Sequence, residues 1–447
     1  MREPAVAPFL RILPLLLSLL PPAVVHSEPT SPKLRYPIDG TLYPANIAPP
    51  TWSWTQPGLG PWQVVVKAVD GSPIAVIDQV PEPRFTPDPA DWTAWKAVLG
   101  EGRATVMVVD EASGFASYPT HFSFAEPCEG TMIFRLVTAP IWADRQLRTE
   151  LRQQQVSDPT SRPLREGLAD TPCRGCHAAA PAGGTLAVQV RDPYDPWTEL
   201  AAGDHVTRLD VPAPPFGRTS GLAWTPDGHL VVAMGLVFDH ELREDGQTLT
   251  HHASDLARVD PATGEWQRIP GAADPDAVED FPDVSPDGRT LAFVRGPRLD
   301  TEAGELDIWT VPLAGGGPAQ PLPGAAGGGG AHVFPRYSPD GRWIAFVRTG
   351  GGYLARPDAD LFLIPAVGGE ARPLAVNVPG RMDSWPSWSR DGRWLVYASR
   401  RDDPAQTRAF LTRIDDRGQA SPPVPWPGPL PDGRSCNHPT FTALQPS

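Results

Sequence analysis

The chain has 447 residues, too many for one small core and enough for two or three units. Lys and Arg number 38 against 52 Asp and Glu, and the resulting charge of −14 argues against a nucleic-acid partner, whose phosphates would be repelled. The 57 Pro and 42 Gly stand beside 15 Trp and 15 Phe, so they read as turn chemistry in a folded chain rather than as disorder.

Residues 1–27 read as a secretory signal peptide. Arg2 and Arg11 flank an apolar run from Phe9 to Leu20, Pro21-Pro22 breaks it, and cleavage is expected near Ser27. The run is too short and too Pro-broken for a stable membrane span, and no second long apolar stretch follows. No Cys lies near the cleavage region, which speaks against a lipoprotein anchor. The expected address is periplasmic or secreted.

Residues 34–127 carry short β-type runs split by Pro and Gly: Trp52–Trp54, Trp62–Ala68, Ile74–Ile77, Ala104–Val109 and His121–Phe124. That spacing predicts a small β-sandwich. The opening Tyr36-Pro-Ile-Asp-Gly-Thr41, followed by a Pro-flanked Trp, resembles fibronectin type III-like modules of bacterial surface proteins. Such a module presents or spaces another domain, so no chemistry is assigned to it. Residues 128–182 are expected to be a connector. Met132–Val137 reads as a strand, Ala143–Gln155 as a helix rich in Arg, Gln, Glu and Leu, and Ser157–Thr171 as loop.

From residue 183 to 447 the sequence repeats itself. Leu222–Ala233, Pro282–Phe293, Pro335–Phe346 and Pro386–Tyr397 share one template, with Asp-Gly pairs beginning at 227, 287, 340 and 391. Asp-Gly supplies a tight hairpin turn, because Gly accepts positive φ. A third strand follows each, opening at Asp255, Asp307, Asp360 and Ala409; the recurring Asp predicts a blade-stabilising hydrogen bond. Gly183–Val190 with Val206–Val211 makes a degenerate fifth copy. Asn437–Thr442 resembles the strand leading into a repeat and would complete a sixth blade with Met132–Val137. The predicted fold is therefore all-β, an N-terminal β-sandwich followed by a β-propeller of about six four-stranded blades.

The repeats resemble the WD40-like repeats of TolB-type propellers over about residues 220–425. A nearer resemblance is to exported bacterial propeller proteins with a c-type haem motif. It is carried by Ile133-Phe-Arg-Leu-Val137, by Cys-x-x-Cys-His running into a degenerate blade, and by Asp383–Ser389 and Ser399–Asp403. It implies export and covalent haem but no settled role, since fold analogy does not fix function. The motif here leads into Ala178-Ala-Ala-Pro-Ala-Gly-Gly184, without the Asp-Gly of the other blades.

Cys173-Arg-Gly-Cys176-His177 is the one sharp motif. Two thiols at this spacing can capture the two vinyl groups of a haem, and the adjoining imidazole then serves as axial ligand. Haem c is the expected cofactor. A local disulfide, a redox-active pair and half of a zinc site compete, although a second Cys pair and a βαβ context are both missing. For the sixth ligand His121, His205, His332, His438 and Met132 are candidates; His438 leads, because the closing strand should lie near the blade after the motif. Cys128 and Cys436 are candidates for a disulfide.

Other signals are weaker. His240-Glu241 lacks the second histidine of a zinc-protease helix, Glu244 standing in its place. His251-His252 reads as a solvated pair beyond a turn at Asp245-Gly246. Neither a Gly-x-Ser-x-Gly elbow nor a phosphate-binding loop is present in the sequence. The expected function is electron transfer, or docking to a redox protein, by a monomer; catalysis on the haem, as in a peroxidase, is the less favoured reading and is left open. The alternative is a protein- or glycan-binding scaffold without haem.

Overall fold

A computed structural model describes residues 31–55, 60–139, 149–164, 174–190, 197–202, 205–211, 219–243, 246–300 and 304–442, with the side chains of 174 and 236–249 excepted. The expected signal peptide, Cys173, Asp245 and the side chains of His240 and Glu241 lie outside these residues. Among the described residues no helix is long and apolar enough to cross a membrane.

The N-terminal part holds two sheets. Leu34–Tyr36, Trp52–Trp54 and Arg84–Phe85 form one. Thr41–Pro44, Thr120–Ala125, Arg103–Asp110, Trp62–Ala68 and Pro73–Val80 form the other, in that spatial order. The alternation in Arg103–Asp110 buries every second residue, as a strand with one covered face requires. A helix, Pro89–Leu99, was not foreseen. Asp88 caps it by accepting from the Ala90 N–H, Pro89 sits where no intrahelical donor is needed, and Gly100 ends it. Its Trp92, Trp95 and Leu99 lie on one helical face and pack against Trp52, Tyr43 and Phe122.

Among the described residues four four-stranded sheets and one nine-stranded sheet follow, and the nine-stranded sheet holds two blades, so six blades are seen. In the first, the C-terminal strand Arg434–Thr442 is innermost, and Thr131–Thr138, Glu150–Gln155 and Arg162–Pro163 run outward from it. The predicted union of Asn437–Thr442 with Met132–Val137 is thus present, with Cys436 opposite Leu136 and Thr440 opposite Ile133. The innermost strands of the other five are Arg174–Ala179, Thr219–Trp224, Val278–Val284, Ala331–Tyr337 and Asp383–Trp388. Each inner strand touches the next, and Asp383–Trp388 touches Arg434–Thr442, so the contacts run in a cycle. A bridge between Ser254 and Val278 additionally links the third blade to the fourth.

Two expectations are corrected. The helix over Ala143–Gln155 fails where it can be seen, because Glu150–Gln155 is a strand paired along Thr131–Thr138. Arg, Gln and Glu favour helix only weakly, and backbone pairing inside a blade overrides them. Nor is 128–182 a mere connector: it contributes strands to two blades.

The Asp-Gly turns are as the sequence implied. Gly228, Gly288, Gly341 and Gly392 have φ of 86°, 72°, 72° and 70°. In three of these turns the preceding serine donates to the Asp and the carboxylate accepts a backbone N–H in return, as at Ser285, Asp287 and Arg289. Inner strands are buried on both faces; all of Asp383–Trp388 and Trp394–Ser399 is buried. Outer strands are short and four of them end in proline, at 163, 321, 373 and 425. Proline offers no N–H to a further strand, which blunts the blade edges.

Candidate functional site where the blades meet

Every inner strand carries a bulge, and four place an aromatic residue there in left-handed backbone. Phe281, Phe334, Trp385 and His438 have φ of 50°, 56°, 54° and 51°, and each precedes a proline. For residues with a Cβ such a conformation costs about 1–3 kcal/mol and persists only where packing over-determines it. The packing is a chain of ring contacts. Phe281 meets Phe334 at 4.6 Å, Phe334 meets Trp385 at 6.1 Å, and Trp385 meets His438 at 6.3 Å between centroids. His177 continues the chain, edge-on to His438 at 4.8 Å and 82°. Tyr353 packs over Phe281 and Phe334 from a neighbouring loop.

His177 lies on the inner strand Arg174–Ala179, opposite Val188, and is only 3% exposed. Burial, and then the charge of Arg135, push its imidazole down to about 4, against weaker opposition from the Ile133 and Gly175 backbone. The ring is therefore neutral at pH 7. A neutral imidazole is chemically a ligand.

Its setting does not suit a haem. Two axial imidazoles at the usual metal–nitrogen length of about 2 Å have ring centroids roughly 6 Å apart, with the porphyrin between them. His177 and His438 are closer than that, and one ring is set edge-on to the other with no room between them. As arranged, His438 does not stand across a porphyrin from His177, and Cys173 lies outside the described residues.

The other sixth-ligand candidates make no ring contact with His177. His121 belongs to the N-terminal part and contacts Asp39 at 2.8 Å, His205 is exposed on an outermost strand, and Met132 is buried within the first blade. His332 lies on the fifth blade's inner strand, 3.4 Å from Asp307. Of the candidates, His438 is the one whose ring packs against His177. Cys128 and Cys436 share a hydrophobic core cluster yet stand as unbonded thiols, which corrects the suggested disulfide; burial pushes both thiols up.

A second correction concerns His251, which is buried at 2% exposure, while His252 is exposed. Strand alternation separates the pair. His251 faces Asp280 at 3.7 Å, and Asp280 also accepts from the Ser220 hydroxyl at 2.8 Å and from the Phe281 N–H at 2.6 Å. The recurring third-strand aspartates act in structure where their contacts are seen. Asp255 pairs with Arg268 at 2.9 Å, and Asp307 accepts from the Gly327 N–H at 2.9 Å.

The aromatic chain itself was missed from sequence, although the dipeptides Phe281-Pro, Phe334-Pro, Trp385-Pro and His438-Pro recur at the repeat spacing. Recurrence alone could not show that they touch.

No protein-family model and no curated protein sequence matches this chain. Among solved structures it is similar to TolB from Acinetobacter baumannii at 14% identity, covering 77% of this chain and 80% of that one with a TM-score of 0.48. A putative TolB from Agrobacterium tumefaciens matches at 15% identity over 70% and 99%, with a TM-score of 0.42. The periplasmic gluconolactonase PpgL of Pseudomonas aeruginosa matches at 15% over 70% and 100%, with a TM-score of 0.43. The architecture is that of a β-propeller.

Proposed function

We propose that this protein is an exported binding scaffold, a propeller that engages a protein or glycan outside the cytoplasm together with its N-terminal sandwich. One observation carries the reading. A single hydrophobic core runs from Trp52, Trp62 and Trp92 of the N-terminal part into Trp394, Leu411 and Trp426 of the last blade. Burying that much aromatic surface across a junction favours one rigid body over two tethered ones. A rigid pair presents a compound surface of fixed geometry, as a docking platform must.

Electron transfer through a covalent haem at Cys173, Cys176 and His177 is the competing reading; His438, edge-on to His177 at 4.8 Å, is not placed as its sixth ligand. The scaffold reading is tested by photo-crosslinking in cells that export the protein. Probes replace Tyr118 on the N-terminal part and Val367 on the fifth blade, which are 88% and 90% exposed. Further probes scan both faces of the ring. One recurrent cross-linked species confined to a contiguous surface is expected. Uniform background at every position would remove the scaffold reading, and retention of the protein in the cytoplasm would remove export.

A further inference from the structure

The Cys-x-x-Cys-His run has a place in the repeat that needs no cofactor. In the fourth blade Asp280 pairs with Val294 and Asp283 with Ala292, so Phe281 and Pro282 oppose the single residue Phe293. That is a β-bulge. The same gap separates Val333 from Arg336, Ser384 from Ser387, and Asn437 from Thr440. In the second blade it separates Arg174, opposite Val190, from His177, opposite Val188. The two bulged residues there are Gly175 and Cys176.

The turn that follows has the same build. Ser285 and Thr290 close the fourth-blade hairpin, with the Gly288 N–H donating to the Ser285 carbonyl. Ala180 and Thr185 close the second-blade hairpin, with the Gly183 N–H donating to the Ala180 carbonyl. Pro181 stands where Pro286 stands. The only offset is one extra strand residue between bulge and turn, and the third blade shares it. There Leu222 resumes pairing and Thr225 opens the turn, three residues later, just as His177 precedes Ala180.

We infer that Arg174-Gly-Cys176-His177 of the Cys-x-x-Cys-His run is the second blade's copy of the inner-strand bulge, and that the run is not a haem-attachment site. Cys176 corresponds to Gly221 and His177 to Leu222 of the third blade. His177 fills its slot by packing its ring against His438, the step that carries the ring contacts from the first blade to the second. A bulge re-aims side chains and recurs at the same place in related strands, which accounts for these residues on packing grounds alone.

The full chain is exported in a host with cytochrome c maturation machinery, beside a variant carrying the third-blade residues, Cys176→Gly with His177→Leu. The wild-type protein is expected to have the mass of the bare processed chain and to give no pyridine haemochrome spectrum. The double variant is expected to unfold cooperatively, with a Tm within about 5 °C of wild type. A haem adduct on the wild-type chain overturns the inference. So does a double variant that fails to fold while a conservative Cys176→Ser variant folds normally, since residues interchangeable between equivalent bulges should be tolerated.

Discussion

Glu126, just beyond the last strand of the N-terminal part, accepts a hydrogen bond from the guanidinium of Arg413 in the sixth blade at 2.7 Å. Arg393 of the same blade donates to the same oxygen at 3.1 Å. Partial burial works to raise the Glu126 carboxyl, but the two arginines outweigh it and hold it below the usual carboxylate range. This clamp sits beside the shared aromatic core and orients one unit on the other.

Glu126→Ala should therefore loosen the junction without unfolding either unit. The pairs are only partly buried, so a loss of about 1–2 kcal/mol is expected. Limited proteolysis should show faster cutting between residues 126 and 131, with the released fragments still folded. Unchanged protease resistance would count against the clamp.

Trp385 is the central ring between Phe334 and His438. Trp385→Ala should cost about 3–5 kcal/mol, whereas Trp385→Phe, which keeps an aromatic like those at 281 and 334, should cost about 1 kcal/mol. Denaturant titration of both variants checks the ordering. Equal effects would mean that the ring chain does not bear on stability.

Removing residues 434–447 deletes the innermost strand of the first blade and bares the pairing edge of Thr131–Thr138. The truncated protein should aggregate, or should lose cooperative unfolding. Size-exclusion chromatography with a thermal melt distinguishes this from a monodisperse, folded product, which would show that the strand is dispensable.

Asp283 is partly buried and accepts the Tyr337 N–H at 2.6 Å. Burial pushes its carboxyl up to about 6, against the lowering effects of Arg336 and that hydrogen bond. Because the folded value lies above the unfolded one, its stabilising contribution is full below pH 4 and is lost as pH rises through 6. Asp283→Asn keeps an acceptor for Tyr337 and cannot ionise. The variant should gain on wild type by roughly 1–2 kcal/mol between pH 4 and 7, after allowing for partial exposure. Parallel stability curves across that range would contradict the shift.

Cys128 and Cys436 are buried thiols whose ionisation burial disfavours. In the native protein they should resist alkylation at pH 8, and in denaturant they should react fully. Cys176, only half-buried, should label first. Mass mapping of a short iodoacetamide pulse gives the order.

The repeat was legible because a blade is local. Asp-Gly turns, alternating apolar strands and third strands follow one another within each period of 51–60 residues, and backbone geometry alone dictates what those residues do. Ring closure by the C-terminal strand was legible too, since Asn437–Thr442 repeats a strand that lacked its blade. Less local features were hidden. The Pro89–Leu99 helix had a capping Asp-Pro and Trp spacing to announce it, but its burial depends on Trp52 and Tyr43 from distant strands. The strand at Glu150–Gln155 depends on partners that its composition does not name.

The motif shows the division most clearly. Sequence alone determined which chemical groups exist: two cysteines and a histidine at a haem-capturing spacing, on an all-β chain with a repeating blade. Only the tertiary structure decided what surrounds them, because the ring contact between His177 and His438 is a relation across 261 residues of chain, and the bulge is a matter of pairing with Val188 and Val190. Spacing along a strand fixes which atoms are available; the packing of neighbouring blades fixes the room and the direction in which they can act.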